Sequence, residues 1–195
     1  MQLRLITAPV VYNGIGTPRQ DGALVVEAAG RERVYDIGSA AELTARYPEL
    51  EVEREPFALS LAPVNAHTHL DLSTMPYTPG GYGQFIRAVI EHGRAGERNL
   101  AAARAGEQEL LAAGTTVVGD IVTSPEVMRF LLSESPLQGV AYWEVLGPDP
   151  GDAPRLLEQT EAYIREFKAL ERPGGMRLGL SPHTPHTVSA PLLGG

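Results

Sequence analysis

Apolar residues along this chain fall into two rhythms. Through residue 58 they come in short runs divided by turn-forming residues. Residues 3–6 and 10–12 are apolar and β-prone, and Asn13-Gly14 after them favours a tight turn. Residues 23–27 and 32–37 predict two strands that pair as a hairpin across Ala28-Ala29-Gly30-Arg31. Ser39 predicts the cap of a short helix running to Arg46. Strand character returns over residues 51–61, broken at Pro56. Beyond this segment the runs lengthen. Near-continuous apolar, strand-like stretches occupy residues 57–66, 115–122, 139–146 and 176–180. Helical stretches separate them: residues 82–113, interrupted near Gly93 and Gly96; residues 125–133, opening on Pro125 behind Ser124; and residues 153–171. In the last of these, Leu156, Leu157, Tyr163, Ile164, Phe167 and Leu170 recur near helical spacing. Ser189 opens a further helix.

Strands that are apolar on both faces and alternate with helices form parallel βαβ units. The pattern therefore predicts an α/β fold, with a small β-rich segment at 1–58 followed by four βα units at 59–195. A closed (β/α)8 barrel takes about 250 residues. This 195-residue chain holds half of one at most, or a small open sheet.

Composition narrows the function. The net charge is −8, which argues against a broad basic face for nucleic acid or anionic lipid and leaves a small molecule as the expected partner. There is no cysteine, so disulfides, thiolate metal sites and zinc deaminases built on a Cys-x-x-Cys pair are excluded. The first residues carry Pro9 and no long apolar stretch, making a poor signal peptide. No apolar run reaches the length of a membrane span. A cytoplasmic location is expected.

The chemistry gathers at His67-Thr68-His69, where the first long apolar run ends. Residues i and i+2 on a strand face the same side, so two imidazoles project into one space. At the C-terminal mouth of a parallel barrel that space is where active sites form. Neutral imidazole suits zinc, iron or nickel. The alternative is two surface histidines in a loop. Glu144 interrupts the apolar strand Tyr142-Trp143-Glu144-Val145, and a carboxylate there needs either a site role or a salt-bridge partner. Asp120 ends another apolar run, where hydrogen bonding to a neighbouring strand end is favoured over a site role. His92 falls in a helical stretch and is expected to be solvated or packed.

The run Ala62-Pro63-Val64-Asn65-Ala66-His67-Thr68-His69-Leu70-Asp71-Leu72-Ser73 resembles the signature of the amidohydrolase superfamily. It is closest to the branch of cytosine deaminases, chlorohydrolases and aminofutalosine deaminase-like enzymes. Gly179-Leu180-Ser181-Pro182-His183-Thr184-Pro185-His186-Thr187-Val188-Ser189 resembles that branch's second motif, Pro-His-x-Pro followed by an aromatic. Ala113-Gly114-Thr115-Thr116-Val117 resembles its second barrel strand. The motifs stand in family order and spacing across residues 58–191.

The resemblance implies the first half of a (β/α)8 barrel, preceded by part of a β-sandwich built from both chain ends. It implies that His67 and His69 ligate a divalent metal, zinc favoured over iron, and that His183 orients substrate; the alternative for His183 is a structural loop histidine between Pro182 and Pro185. His186 replaces the usual aromatic, which puts that pocket wall in doubt. Asp71 either binds substrate or orients its loop, and Glu144 joins His183 as a substrate-binding candidate. The implied reaction is hydrolysis of a C–N bond by metal-activated hydroxide, with deamination of a cyclic amidine or nucleoside-like molecule preferred over amide or halide hydrolysis. The family takes a further histidine ligand, an acid/base glutamate, another histidine and an aspartate from later strands. No catalytic residue is therefore assigned within these 195 residues, and the chain alone is expected to be inactive. Completion would come from further chain, a complementing C-terminal half or a second copy. A non-catalytic metal-binding remnant or assembly partner is the competing reading. An unrelated small α/β binding domain is a third, against which stand the strand-end histidine pair and the Ser-Pro-His-Thr-Pro run.

Overall fold

The structure is a computed structural model describing residues 2–27 and 33–195; the expected hairpin turn at 28–31 lies outside the described residues. Two compact units form, Met1–Leu61 and Ala62–Gly195.

The first unit is a five-stranded sheet of β1 (Leu3–Tyr12), β2 (Arg19–Glu27), β3 (Arg33–Ser39), β4 (Val52–Arg54) and β5 (Leu59–Ser60). Its order is β3-β2-β1-β4, with β5 also pairing β1. The first three strands are antiparallel, whereas β4 and β5 run parallel to β1. The runs 3–6 and 10–12, expected as separate strands, are one strand. Pro9 lies between the pairs Ala8↔Gly22 and Val10↔Gln20, opposite Asp21, whose φ is 46°. A proline supplies no N–H to a ladder, and the partner backbone departs from regular β geometry at that point. Helix α1 (Ala40–Arg46) begins with a capping box. Ser39 Oγ accepts from the Glu42 N–H, and the Ser39 N–H donates to Glu42 Oε2 at 2.9 Å. Leu43 of this helix is buried against Leu5, Ala23 and Val25.

The expected strand at 57–66 divides. Its first part is β5, and after Ala62-Pro63 the chain re-enters as β6 (Val64–Thr68) in the second unit. Pro63 lacks the donor that a continuous central strand would need.

The second unit is a four-stranded parallel sheet in sequence order: β6, β7 (Val117–Val122), β8 (Gln138–Val145) and β9 (Met176–Pro182). Crossovers run through α2 (Tyr82–Arg94), α3 (Leu100–Ala112), α4 (Pro125–Ser133) and α5 (Ala153–Lys168), and α6 (Ala190–Gly194) follows β9. The helical stretch 82–113 is two helices. α2 ends where Gly96, at φ 75°, lets the Glu97 N–H reach back to His92 O and the Gly96 N–H to Gly93 O. Asn99 then caps α3, its Oδ1 accepting from the Ala102 N–H at 3.0 Å. The core lies between sheet and helices. It includes Val118, Val122, Met128, Leu131, Leu132, Phe167 and Met176. Trp143 of β8 packs on Tyr163 and Phe167 of α5, with ring centroids 4.8 and 5.5 Å away. Side chains alternate along a strand, so Glu144 is directed to the other face.

Candidate metal and substrate site

Four strand ends, all at the C-terminal side of the parallel sheet, bring the chemistry-bearing residues to one rim. β6 ends in His67-Thr68 with His69 just beyond it, β7 carries Asp120, β8 carries Glu144 and the residue after β9 is His183. Parallel registry makes this so. Thr68 pairs with Asp120, while Glu144 pairs with Ser181 and Val145 with Pro182.

The rings of His67 and His69 stand 5.3 Å apart, centroid to centroid, at 77°. They share a side of the strand, as the i, i+2 spacing predicts. His67 is exposed and His69 half-buried. Burial pushes the His69 imidazole toward its neutral form, and this outweighs the opposing pull of the Glu144 carboxylate. Nδ1 of His69 is buried without a hydrogen-bond partner. Its neutral ring with an uncommitted buried nitrogen fits a metal ligand, and the pair could supply two imidazole donors to a divalent cation. Among the described residues, no three His, Asp or Glu side chains converge closely enough to hold a metal by themselves.

Glu144 faces His183, Oε1 to Nε2 at 3.9 Å, with the glutamate side chain 9% exposed and the histidine 41%. His183 is braced on its other edge, where Nδ1 meets Thr187 Oγ1 at 2.9 Å, and its N–H donates to Val145 O at 3.1 Å. The Thr187 hydroxyl also meets Thr184 Oγ1 and accepts from the Thr184 N–H. The loop between Pro182 and Pro185 is thus tied down, with one ring nitrogen of His183 left toward the rim. His186 is exposed, its Nε2 3.3 Å from Thr184 Oγ1.

The remaining acids have structural engagements. Asp71 is 2% exposed and both its oxygens are taken by Arg98, each at 3.0 Å. That occupation supports the loop-orienting alternative for Asp71 over substrate binding. Asp120 is buried and accepts the Leu70 N–H at 2.8 Å. Burial pushes its carboxyl up to about 8, against the lowering effect of that bond. His92 is packed within the second unit, Nδ1 at 2.6 Å from Glu97 Oε2. Sequence reasoning did not single out Arg98. It lies 27 residues from Asp71 between two helices, and no local pattern distinguishes it from a solvated arginine.

No protein-family model matches the chain. An aminodeoxyfutalosine deaminase of Deinococcus radiodurans is 43% identical over 97% of this chain and 44% of its own length. The crystal structure of a Helicobacter pylori aminofutalosine deaminase in complex with methylthio-coformycin superposes with a TM-score of 0.82 at 26% identity, over 97% of this chain and 46% of that one. An adenosine deaminase of Xanthomonas campestris with bound zinc shares the fold at 16% identity, with a TM-score of 0.62 over 95% of this chain and 44% of that one. The chain spans less than half the length of these relatives. With a strand-end histidine pair and a Pro-His-x-Pro loop in place, the chain is thus similar to deaminases of the amidohydrolase superfamily over about half of their length.

Proposed function

We propose that these residues form the metal-bearing half of a deaminase acting on a nucleoside-like amine, of which aminodeoxyfutalosine, named for the Deinococcus relative, is the leading candidate. One observation carries the reading: His67 and His69 turn toward one space at a parallel-sheet rim that Glu144 and His183 also line, and the buried Nδ1 of His69 has no partner. The sheet would be the first half of a (β/α)8 barrel and the first unit part of a β-sandwich, both completed by further chain, a complementing half or a second copy. The small-molecule site would lie at the completed rim.

His67 and His69 would hold the cation, with zinc favoured over iron on the likeness to the zinc-bound relative. Catalytic zinc normally takes three protein ligands, so the remaining donor falls to the completing part. When bound, a divalent cation supplies Lewis acidity that lowers the pKa of water toward about 7 and makes a nucleophile available at neutral pH. Burial keeps His69 neutral and able to donate a lone pair. Glu144, enclosed on its strand, accepts a hydrogen bond from substrate or from His183. His183, held at Nδ1 by Thr187, presents Nε2 to the leaving side of the substrate. In the net reaction water adds to the amidine carbon, the C–NH2 bond breaks and ammonia leaves.

Ammonia release from aminodeoxyfutalosine, adenosine and guanine by the complete, zinc-loaded protein tests this. Turnover of at least one nucleoside-like amine is expected, and none by the isolated 195 residues. A complete protein that retains zinc but releases no ammonia from any of them would favour the non-catalytic alternative, and robust turnover by the isolated monomer would contradict the half-site reading.

A further inference from the structure

We infer that Arg98 is a positioning residue for the histidine pair, acting through Asp71; the inference rests on the metal reading above. A metal-ligating histidine ordinarily has its second ring nitrogen tied to a carboxylate or carbonyl that fixes the ring's direction. Among the described residues neither ring nitrogen of His69 has a hydrogen-bond partner, Nδ1 being buried as well, so no such tie holds the ring whichever nitrogen ligates. Its direction must therefore come from the backbone that follows it, and that backbone is gripped twice. The Leu70 N–H donates to Asp120 Oδ1 from β7, at 2.8 Å. One residue on, Asp71 is held by the Arg98 fork, Nε to Oδ2 and Nη2 to Oδ1, both at 3.0 Å. The pair is enclosed, with side-chain exposures of 18% for Arg98 and 2% for Asp71.

The arginine is itself braced. Glu97 before it meets His92 Nδ1 at 2.6 Å, and Asn99 after it caps α3. The helix it precedes presses directly on the turn after the histidines. A Cβ placed on Gly106 would lie 2.0 Å from Ser73 Oγ, so no side chain fits between them. The segment between α2 and α3 thus acts as a bracket on the stretch from His69 to Ser73. A planar, bidentate fork fixes direction as well as charge, which a lysine at the same place cannot do.

The test measures zinc affinity by chelator competition, and the visible spectrum of the cobalt(II) form, in the complete protein and in Arg98→Lys, Arg98→Met and Arg104→Met. Arg104 lies on α3, pairs with Glu134 at 2.7 Å and stacks on Phe130, so its loss reports what mere destabilisation of that helix does to the metal. Zinc affinity should fall about 10- to 100-fold in Arg98→Met and by a smaller factor in Arg98→Lys, each with an altered cobalt spectrum, while Arg104→Met keeps the parent affinity and spectrum. Should Arg98→Met fail to fold, Arg98→Lys decides, because it keeps a cation beside Asp71 and loses only the fork. Parent affinity and spectrum in a folded Arg98→Lys and Arg98→Met overturn the inference and leave the metal reading standing. If the unaltered protein binds no more metal than His67→Ala/His69→Ala, the metal reading falls and the inference falls with it.

Discussion

Glu171 and Asp120 are carboxylates of the second unit whose surroundings move them in opposite directions. Burial alone would raise Glu171, but hydrogen bonds from Lys168 Nζ, the Leu178 N–H and Arg177, at 2.8, 2.8 and 2.9 Å, outweigh it and hold its pKa at about 2. A carboxylate depressed in the folded state contributes stability above its unfolded pKa, and that contribution is lost as pH falls through the window from 4.5 to about 2. Glu171→Gln should therefore flatten the acid limb of a melting-temperature profile between pH 5 and 2; an unchanged limb would show that another group carries it. At Asp120 burial outweighs the one N–H donor from Leu70 and the more distant pull of the Arg98 cation, and the pKa rises to about 8. Here the stability is present at low pH and lost as pH rises from 3.8 through about 8. Asp120→Asn keeps an oxygen for the Leu70 N–H and removes the ionisation. Its melting temperature relative to the parent should climb steadily from pH 4 to pH 9, and a difference that stays flat would contradict the assignment.

At the scale of elements, local sequence was most legible where a helix could be read from its own ends. The helix expected at 125–133 forms over those residues behind the Ser124 cap, and the interruption expected near Gly93 and Gly96 is a left-handed glycine between two helices. The helix expected to run to Glu171 stops at Lys168, and Glu171 turns inward to accept from Lys168 at the helix end and from Arg177 and the Leu178 N–H on the strand beyond. Strand limits were less legible, since they depend on a partner. β1 continues through Pro9 only because β2 adapts opposite it, and the apolar run at 57–66 is shared between two sheets. The strongest packing claim rests on α5. Tyr163 and Phe167 stack at 5.2 Å with nearly parallel rings beneath Trp143, and Phe167 is fully buried. Phe167→Ala should cost about 3–5 kcal/mol in urea denaturation of the complete protein, as large-to-small aromatic core substitutions do. A cost under about 1 kcal/mol would mean the cluster is not a packing centre.

For the whole molecule, the βαβ rhythm and the His-x-His ending of a strand conveyed the parallel sheet and the rim that gathers Glu144 and His183. The bracket formed by Arg98 was not legible, because a pairing across 27 residues leaves no local signature. Nor could spacing alone tell that both oxygens of Asp71 meet Arg98. In the proposed site His67 and His69 together hold one divalent cation. The measurement closest to that claim is the metal content, by plasma mass spectrometry, of the complete protein and of its folded His67→Ala/His69→Ala variant. The account predicts bound zinc in the parent and its loss in the variant. Equal metal content in the two proteins would contradict it.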